Sequence, residues 1–313
     1  MPQNHDLPIP DLAGQLAVVT GASDGIGAVI AARLAQAGAE VIMPVRNPDK
    51  GAAVAERIRT TIDGASVSTR SLDLSSLASV ATLVTTLAAE GRPINILVNN
   101  AGVMRPPTRQ VTRDRFELQW GTNHLAHFAL TLGLLPLLKE GRARVTHQSS
   151  VAARKGFLNW DDLNHEHSYD VMTAYTGSKI AVGLFARELD ARSRVEGWGI
   201  SSNLSHPGIS PTNLLAAQPG MGRDRIPPER RLIGVLSRVG LAGTPQSAAL
   251  PALMAATAPD PSGDQFFGPR RTTGGRPVAR EHWAPMTDMN DARRIWEVSE
   301  HLVGMKAPHR SSS

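Results

Sequence analysis

From Gln15 onward the chain alternates short apolar runs with longer segments of helical period. Leu16-Ala17-Val18-Val19 is uninterrupted apolar sequence, as in a strand buried on both faces. Ile26 to Ala37 has helical spacing and stops at Gly38. Val41-Ile42-Met43 predicts a second strand, with Pro44 at its end or edge because proline cannot donate to a ladder. A helix over Ala52–Ile62, a strand over Val67–Leu72 and a helix over Leu77–Ala89, opened by Ser75-Ser76, come next. Ile94 to Val98 predicts the fourth strand. A helix from about Phe116 to Leu138, with Pro136 near its end, precedes a strand over Val145–Gln148. Then follow a helix over Ala174–Arg194, a strand over Ile200–Leu204, a helix over Gln246–Ala258, a short strand over Gln265–Phe267 and a last helix over Asn290–Leu302. This alternation predicts an α/β fold with a doubly wound parallel sheet covered by helices on both faces. No repeat or internal linker divides it. The expected layout is a flexible polar arm over 1–13, one domain over 14–270, and a C-terminal extension over 271–313 carrying one helix.

Composition narrows the function. A chain of 313 residues is ample for one large buried core. It has no cysteine, which excludes disulfides, thiol nucleophiles and thiolate metal sites. The net charge is +5, from 33 basic and 28 acidic residues. The arginines are scattered, with no run of four basic residues, so a nucleic-acid partner is not expected. No stretch approaches the ~18 apolar residues of a membrane span, and the polar start is unlike a signal peptide. No membrane anchor and a cytoplasmic location are expected, and homo-oligomerisation is left open. His124 with His127, and His165 with His167, lack further ligands at metal-site spacing, so no metal is expected.

Thr20-Gly21-Ala22-Ser23-Asp24-Gly25-Ile26-Gly27 lies directly between the first strand and the first helix. Gly21 suits a tight exit from the strand, Gly25 a close backbone approach to a pyrophosphate, and Gly27 close helix–strand packing. That context points to a dinucleotide on a Rossmann-type sheet, with Ser23, Asp24 and Ile26 among the contacts. After the second strand come Val45-Arg46-Asn47, with no acid before Asp49. An acid there would hold an adenosine ribose, whereas a guanidinium pairs with a 2′-phosphate. NADP(H) is therefore expected rather than NAD(H), with Asp24 as a mild counter-signal.

Only two tyrosines occur, and one opens Tyr175-Thr176-Gly177-Ser178-Lys179. Positions i and i+4 share a helix face, so an ammonium lies beside a phenol. The ammonium is expected to lower the phenol pKa from ~10 toward the working range of a general acid/base.

The TGxxxGxG spacing and the YxxxK motif together resemble the short-chain dehydrogenase/reductase family, over about residues 12 to 270. The resemblance implies further residues. Asp73-Leu74 would meet the adenine. Asn99-Asn100-Ala101-Gly102 would form the loop after the fourth strand. Pro207-Gly208-Ile209-Ser210-Pro211-Thr212 would meet the nicotinamide carboxamide. It also implies a catalytic set of Asn123, Ser150, Tyr175 and Lys179. Ser150 would hold the substrate oxygen, Asn123 a relay water, and Lys179 the nicotinamide ribose as well as Tyr175. The full set argues against a non-catalytic dinucleotide binder, the alternative reading.

Ser150 and Tyr175 are 25 positions apart, roughly twice the gap of compact members. This insert, with His127-Phe128 and Val45-Arg46-Asn47, resembles the retinol-dehydrogenase-like and protochlorophyllide-reductase-like branch. Phe157 and Trp160 in the insert are expected to wall the substrate pocket. Leu214, Leu215 and Met221 are expected in a loop that closes as a lid. Together they imply an NADP(H)-dependent oxidoreductase that interconverts a ketone or aldehyde and an alcohol, with a bulky apolar small molecule as substrate.

Overall fold

A computed structural model describes residues 7–209, 243–260, 262–271 and 274–308. Eight strands form one sheet in the order β3-β2-β1-β4-β5-β6-β7-β8. They are β1 (Leu16–Val19), β2 (Glu40–Val45), β3 (Val67–Ser71), β4 (Ile96–Asn99), β5 (Arg144–Gln148), β6 (Ser201–Ser205), β7 (Phe266–Arg271) and β8 (Gly274–Arg280). All neighbours are parallel except the antiparallel β7–β8 pair. Strand order reverses between β1 and β4. The carboxyl ends of those two strands therefore open the crevice where such sheets hold ligands.

Strand alternation divides the core into two layers. Leu16, Val18, Ile42, Leu97 and Val145 pack with α3 (Leu77–Glu90), α5 (Ala126–Gly133) and α7 (Val171–Glu196) through Leu83, Phe128 and Phe185. Ala17, Val19, Val41, Met43 and Val98 face the other way. They meet Ile30 and Leu34 of α1 (Gly25–Gln36), Val54 of α2 (Pro48–Thr61) and Leu253 of α8 (Pro245–Thr257). Burial on both faces is why β1, β2 and β4 read as mainly apolar runs.

Local chemistry sets the helix starts. Asp24, Asn47, Ser76, Asp170 and Thr244 each place a side-chain oxygen on a first-turn N–H of the helix that follows. Pro44 lies inside β2 rather than at its end. Its β3 pairing continues through Val45, but its β1 pairing has stopped at Ile42. Val41 donates toward β3, so by alternation the imide nitrogen of Pro44 faces the side where no ladder remains.

Three expectations are corrected. The single helix over 116–138 is four pieces: α4 (Leu118–Trp120), a π-turn (Gly121–Leu125), α5, and α6 (Leu135–Glu140). Pro136 opens α6 instead of ending a helix, in the first turn where its missing N–H costs nothing. Residues 7–13 of the expected loose arm are held. Leu7 and Ile9 pack on the core, Arg33 donates to the Leu7 carbonyl at 2.8 Å, and Leu12 is buried. The C-terminal extension supplies a strand as well as a helix. Gly274, Gly275 and Pro277 disguised β8, an edge strand where such residues are tolerated. The last helix, α9 (Met289–Val303), buries Ile295 and Trp296 completely. Trp296 meets Phe128 and Phe185 at centroid distances of 5.1 and 5.8 Å.

Candidate active site

The β1–α1 turn and the segment after β4 interlock. The Thr20 hydroxyl accepts from the backbone N–H groups of Asn100 and Ala101, each at 3.0 Å. The Asn100 amide donates to the Thr20 carbonyl at 2.8 Å. A Cβ on Gly27 would stand 2.3 Å from the Gly21 carbonyl oxygen and 2.6 Å from the Asn100 amide nitrogen. Gly21 and Gly25 have φ of +68° and +52°, where a side chain is strained. Glycine is thus required at Gly21, Gly25 and Gly27 for backbone to lie this close at a helix N-terminus, the arrangement that receives a pyrophosphate. The cradle fits a dinucleotide. Ile26 packs toward the core, leaving Ser23 and the backbone at the turn.

Asp24 accepts from the Gly25 N–H at 2.7 Å and lies 3.7 Å from the Lys50 ammonium. Asn47 caps α2 by accepting from the Lys50 N–H at 3.0 Å. Arg46 is exposed at the carboxyl end of β2 and makes no ion pair among the described residues. Asp73 accepts from the N–H and hydroxyl of Ser75, at 3.0 and 2.7 Å, while the Leu74 side chain is buried in the core. Contact of Leu74 with a cofactor is therefore confined to its backbone. Pro207, Gly208 and Ile209 follow β6, and the Gly208 N–H donates to His206 Nδ1 at 3.2 Å. Thr212, Leu214, Leu215 and Met221 lie outside the described residues.

Tyr175 and Lys179 stand one turn apart near the start of α7, both buried. Ser150 lies two residues past β5 and caps the short 3₁₀ turn Val151–Lys155, and its side chain acts to lower the pKa of Tyr175. The Lys179 ammonium donates to the Gln148 carbonyl at 2.9 Å. Burial lowers its pKa to about 8. Burial pushes the Tyr175 phenol up to about 12, against the lowering effect of Ser150. The Lys179 ammonium is aimed at the Gln148 carbonyl, while Ser150 acts to favour the phenolate.

Asn123 sits in the π-turn, the kind of irregularity that often marks a functional site. Its side chain accepts from the Val103 N–H at 2.8 Å and donates to the Val103 carbonyl at 3.0 Å and the Ser178 hydroxyl at 2.9 Å. A Cβ on Gly102 would lie 3.1 Å from Asn123 Oδ1 and 3.4 Å from Lys179 Nζ. The segment after β4 therefore joins the cofactor turn to Asn123 and Lys179. Asn123, Ser150, Tyr175 and Lys179 are thus gathered at the carboxyl ends of β4 and β5, beside the glycine turn.

The insert is organised on the segment before α4. The Asp162 carboxylate accepts from the N–H groups of Glu166, His167 and Ser168 at 2.6, 3.0 and 3.2 Å. Arg109 donates to the carbonyls of His165 and Asn164 at 2.8 and 3.0 Å. Phe157 is exposed and lines a small cavity with Leu158, Trp120 and Gly177. Trp160 does not line that cavity. It packs inward, with the Arg294 guanidinium of α9 over its ring at 4.1 Å. Gln148 and His127 also reach the site, where local spacing gives no sign of their partners. Gln148 joins Lys179, Asn100 (3.2 Å) and Ser205 (2.7 Å), and only the fold brings those partners together.

Residues 15–219 match the family model described as short chain dehydrogenase. The chain is 36% identical over 305 residues to human retinol dehydrogenase 13, covering 95% of this chain and 87% of the relative. A crystal structure from Mycobacterium Paratuberculosis superposes with a TM-score of 0.76 at 35% identity, covering 96% of this chain and 97% of that one. A metagenomic short-chain oxidoreductase in complex with NADP superposes with a TM-score of 0.57 at 26% identity, covering 79% and 93%. With the glycine cradle, the buried tyrosine and lysine, and a family match over most of the sheet, the chain belongs to the short-chain dehydrogenase family, in its retinol-dehydrogenase-like branch.

Proposed function

We propose that this protein is an NADP(H)-dependent oxidoreductase that interconverts a ketone or aldehyde and an alcohol on a bulky apolar substrate. The observation that carries the reading is the placement of Ser150, Tyr175 and Lys179 beside the glycine cradle of Gly21, Gly25 and Gly27. When bound there, a nicotinamide cofactor supplies hydride exchange. Ser150 holds the substrate oxygen and polarises it. Tyr175 Oη gives that oxygen its proton in reduction and takes it back in oxidation. A phenol held near 12 is protonated at neutral pH, which suits the donor role in reduction. Lys179 places a buried cation below the site, and Asn123 fixes Val103 and Ser178 around it.

NADP(H) is favoured by Arg46, exposed where a 2′-phosphate is read, and accords with the NADP-bound relative. The apolar substrate is supported by exposed Phe157 in the insert and by a relative whose named substrate is retinol.

A carbonyl panel followed by NADPH absorbance tests the reading. Tyr175→Phe is expected to lower kcat by about 100-fold or more with NADPH affinity intact. Arg46→Asp is expected to reverse the preference between NADPH and NADH. Cofactor binding without turnover across a broad panel would refute the enzymatic reading.

A further inference from the structure

His127 is completely buried on α5, and both of its ring nitrogens are used. Nδ1 lies 3.0 Å from the main-chain carbonyl of Asn123. A carbonyl has no proton to give, so Nδ1 carries the hydrogen and Nε2 is the acceptor. Burial keeps the ring neutral, with its pKa lowered to about 4. Nε2 lies 3.0 Å from the Thr20 hydroxyl, which must therefore donate to it. The alternative acceptor for that hydroxyl, the Val98 carbonyl, is longer at 3.3 Å. With its proton committed to His127, the Thr20 oxygen has lone pairs for the Asn100 and Ala101 N–H groups, both at 3.0 Å.

A closed circuit of buried or half-buried groups results. His127 leads to Thr20 in the glycine turn and Thr20 to Asn100. The Gln148 amide donates to Asn100 Oδ1 at 3.2 Å, and the Gln148 carbonyl accepts from Lys179. One residue before Lys179, Ser178 accepts from Asn123, and the Asn123 carbonyl returns to His127. The ring is the one side chain in the circuit that touches both the glycine turn and the π-turn.

We propose that His127 is a positioning residue that couples the cofactor turn to the catalytic helix. Its Nε2 sets the Thr20 hydroxyl and through it the segment that borders the cofactor. Its Nδ1–H sets the Asn123 backbone and through it the Lys179 end of the site. The ring touches neither substrate nor cofactor, and the proposal rests on the functional reading above.

The two nitrogens separate by substitution. His127→Phe fills the space and makes neither bond. His127→Gln offers an amide oxygen at the reach of Nε2. His127→Asn offers an amide N–H at the reach of Nδ1. NADPH dissociation constants, measured by fluorescence without substrate, report the turn, and kcat at saturating NADPH reports the catalytic end. The Phe variant is expected to lose about tenfold in each, the loss of one hydrogen bond per arm. The Gln variant is expected to regain NADPH affinity with kcat still low, and the Asn variant the reverse. Loss of both quantities together in the Gln and Asn variants, or of neither in the Phe variant, would show a ring that merely fills space and would overturn the coupling. Wild-type protein that binds no nicotinamide cofactor would overturn the functional reading, and this coupling with it.

Discussion

His147 offers a direct test of how the core treats ionisable groups. It lies on β5, 1% exposed, with its ring edge-on to Phe185 at 4.8 Å. Its one polar contact is a long 3.4 Å approach from the Asn99 amide, and Nε2 has no partner among the described residues. Burial lowers its pKa from 6.5 to about 3. The folded value is below the unfolded one, so the unfolded chain binds more protons and stability falls as pH falls through that window. At pH 5.5 the unfolded imidazole is about ten to one protonated, while the folded ring stays neutral. That difference is about 1.4 kcal/mol of stability lost relative to pH 7.5. His147→Leu removes the group at similar volume, and Asn99 keeps its 3.0 Å bond to Thr131. Urea unfolding followed by tryptophan fluorescence, at pH 7.5 and 5.5, measures the effect. The variant is expected to lose about 1.4 kcal/mol less than wild type between the two conditions. Buried carboxyls raised by desolvation, Glu117, Glu188 and Asp190, act in the opposite sense. They are common to both proteins and cancel. Equal pH dependence in the two proteins would refute the reasoning.

Three more outcomes are expected. Gly27→Ala drives a methyl to 2.3 Å from the Gly21 carbonyl, so NADPH binding should be lost and stability reduced by about 1–3 kcal/mol, read by cofactor titration and urea midpoint. Trp296→Ala empties the space between Phe128, Phe185 and the Arg192 guanidinium, and should cost about 3–5 kcal/mol in urea unfolding. Lys179 loses its charge near pH 8, so kcat/KM for reduction should fall above that pH in wild type, and Lys179→Met should abolish that limb of the pH–rate profile.

Strands β1, β2 and β4 were legible because each is a mainly apolar run, and the long helices because each begins at a side-chain cap. The glycine turn was legible because its φ requirements leave glycine as the residue that fits. The Tyr175–Lys179 pair was legible because four residues make one helical turn. All of these are local consequences of chain geometry, written in neighbouring positions. What the tertiary structure decided lies in contacts between distant segments. Only packing shows that the 116–138 stretch contains a π-turn placing Asn123 against Val103 and Ser178. Only packing turns Trp160 under Arg294 of the last helix, away from the cavity beside Phe157. Spacing placed Tyr175 and Lys179 on one face but not the balance of their proton affinities, because burial depends on the rest of the fold. The same holds for His127: its sequence position says that it is a histidine on a helix, and the fold gives it Thr20 at one nitrogen and Asn123 at the other.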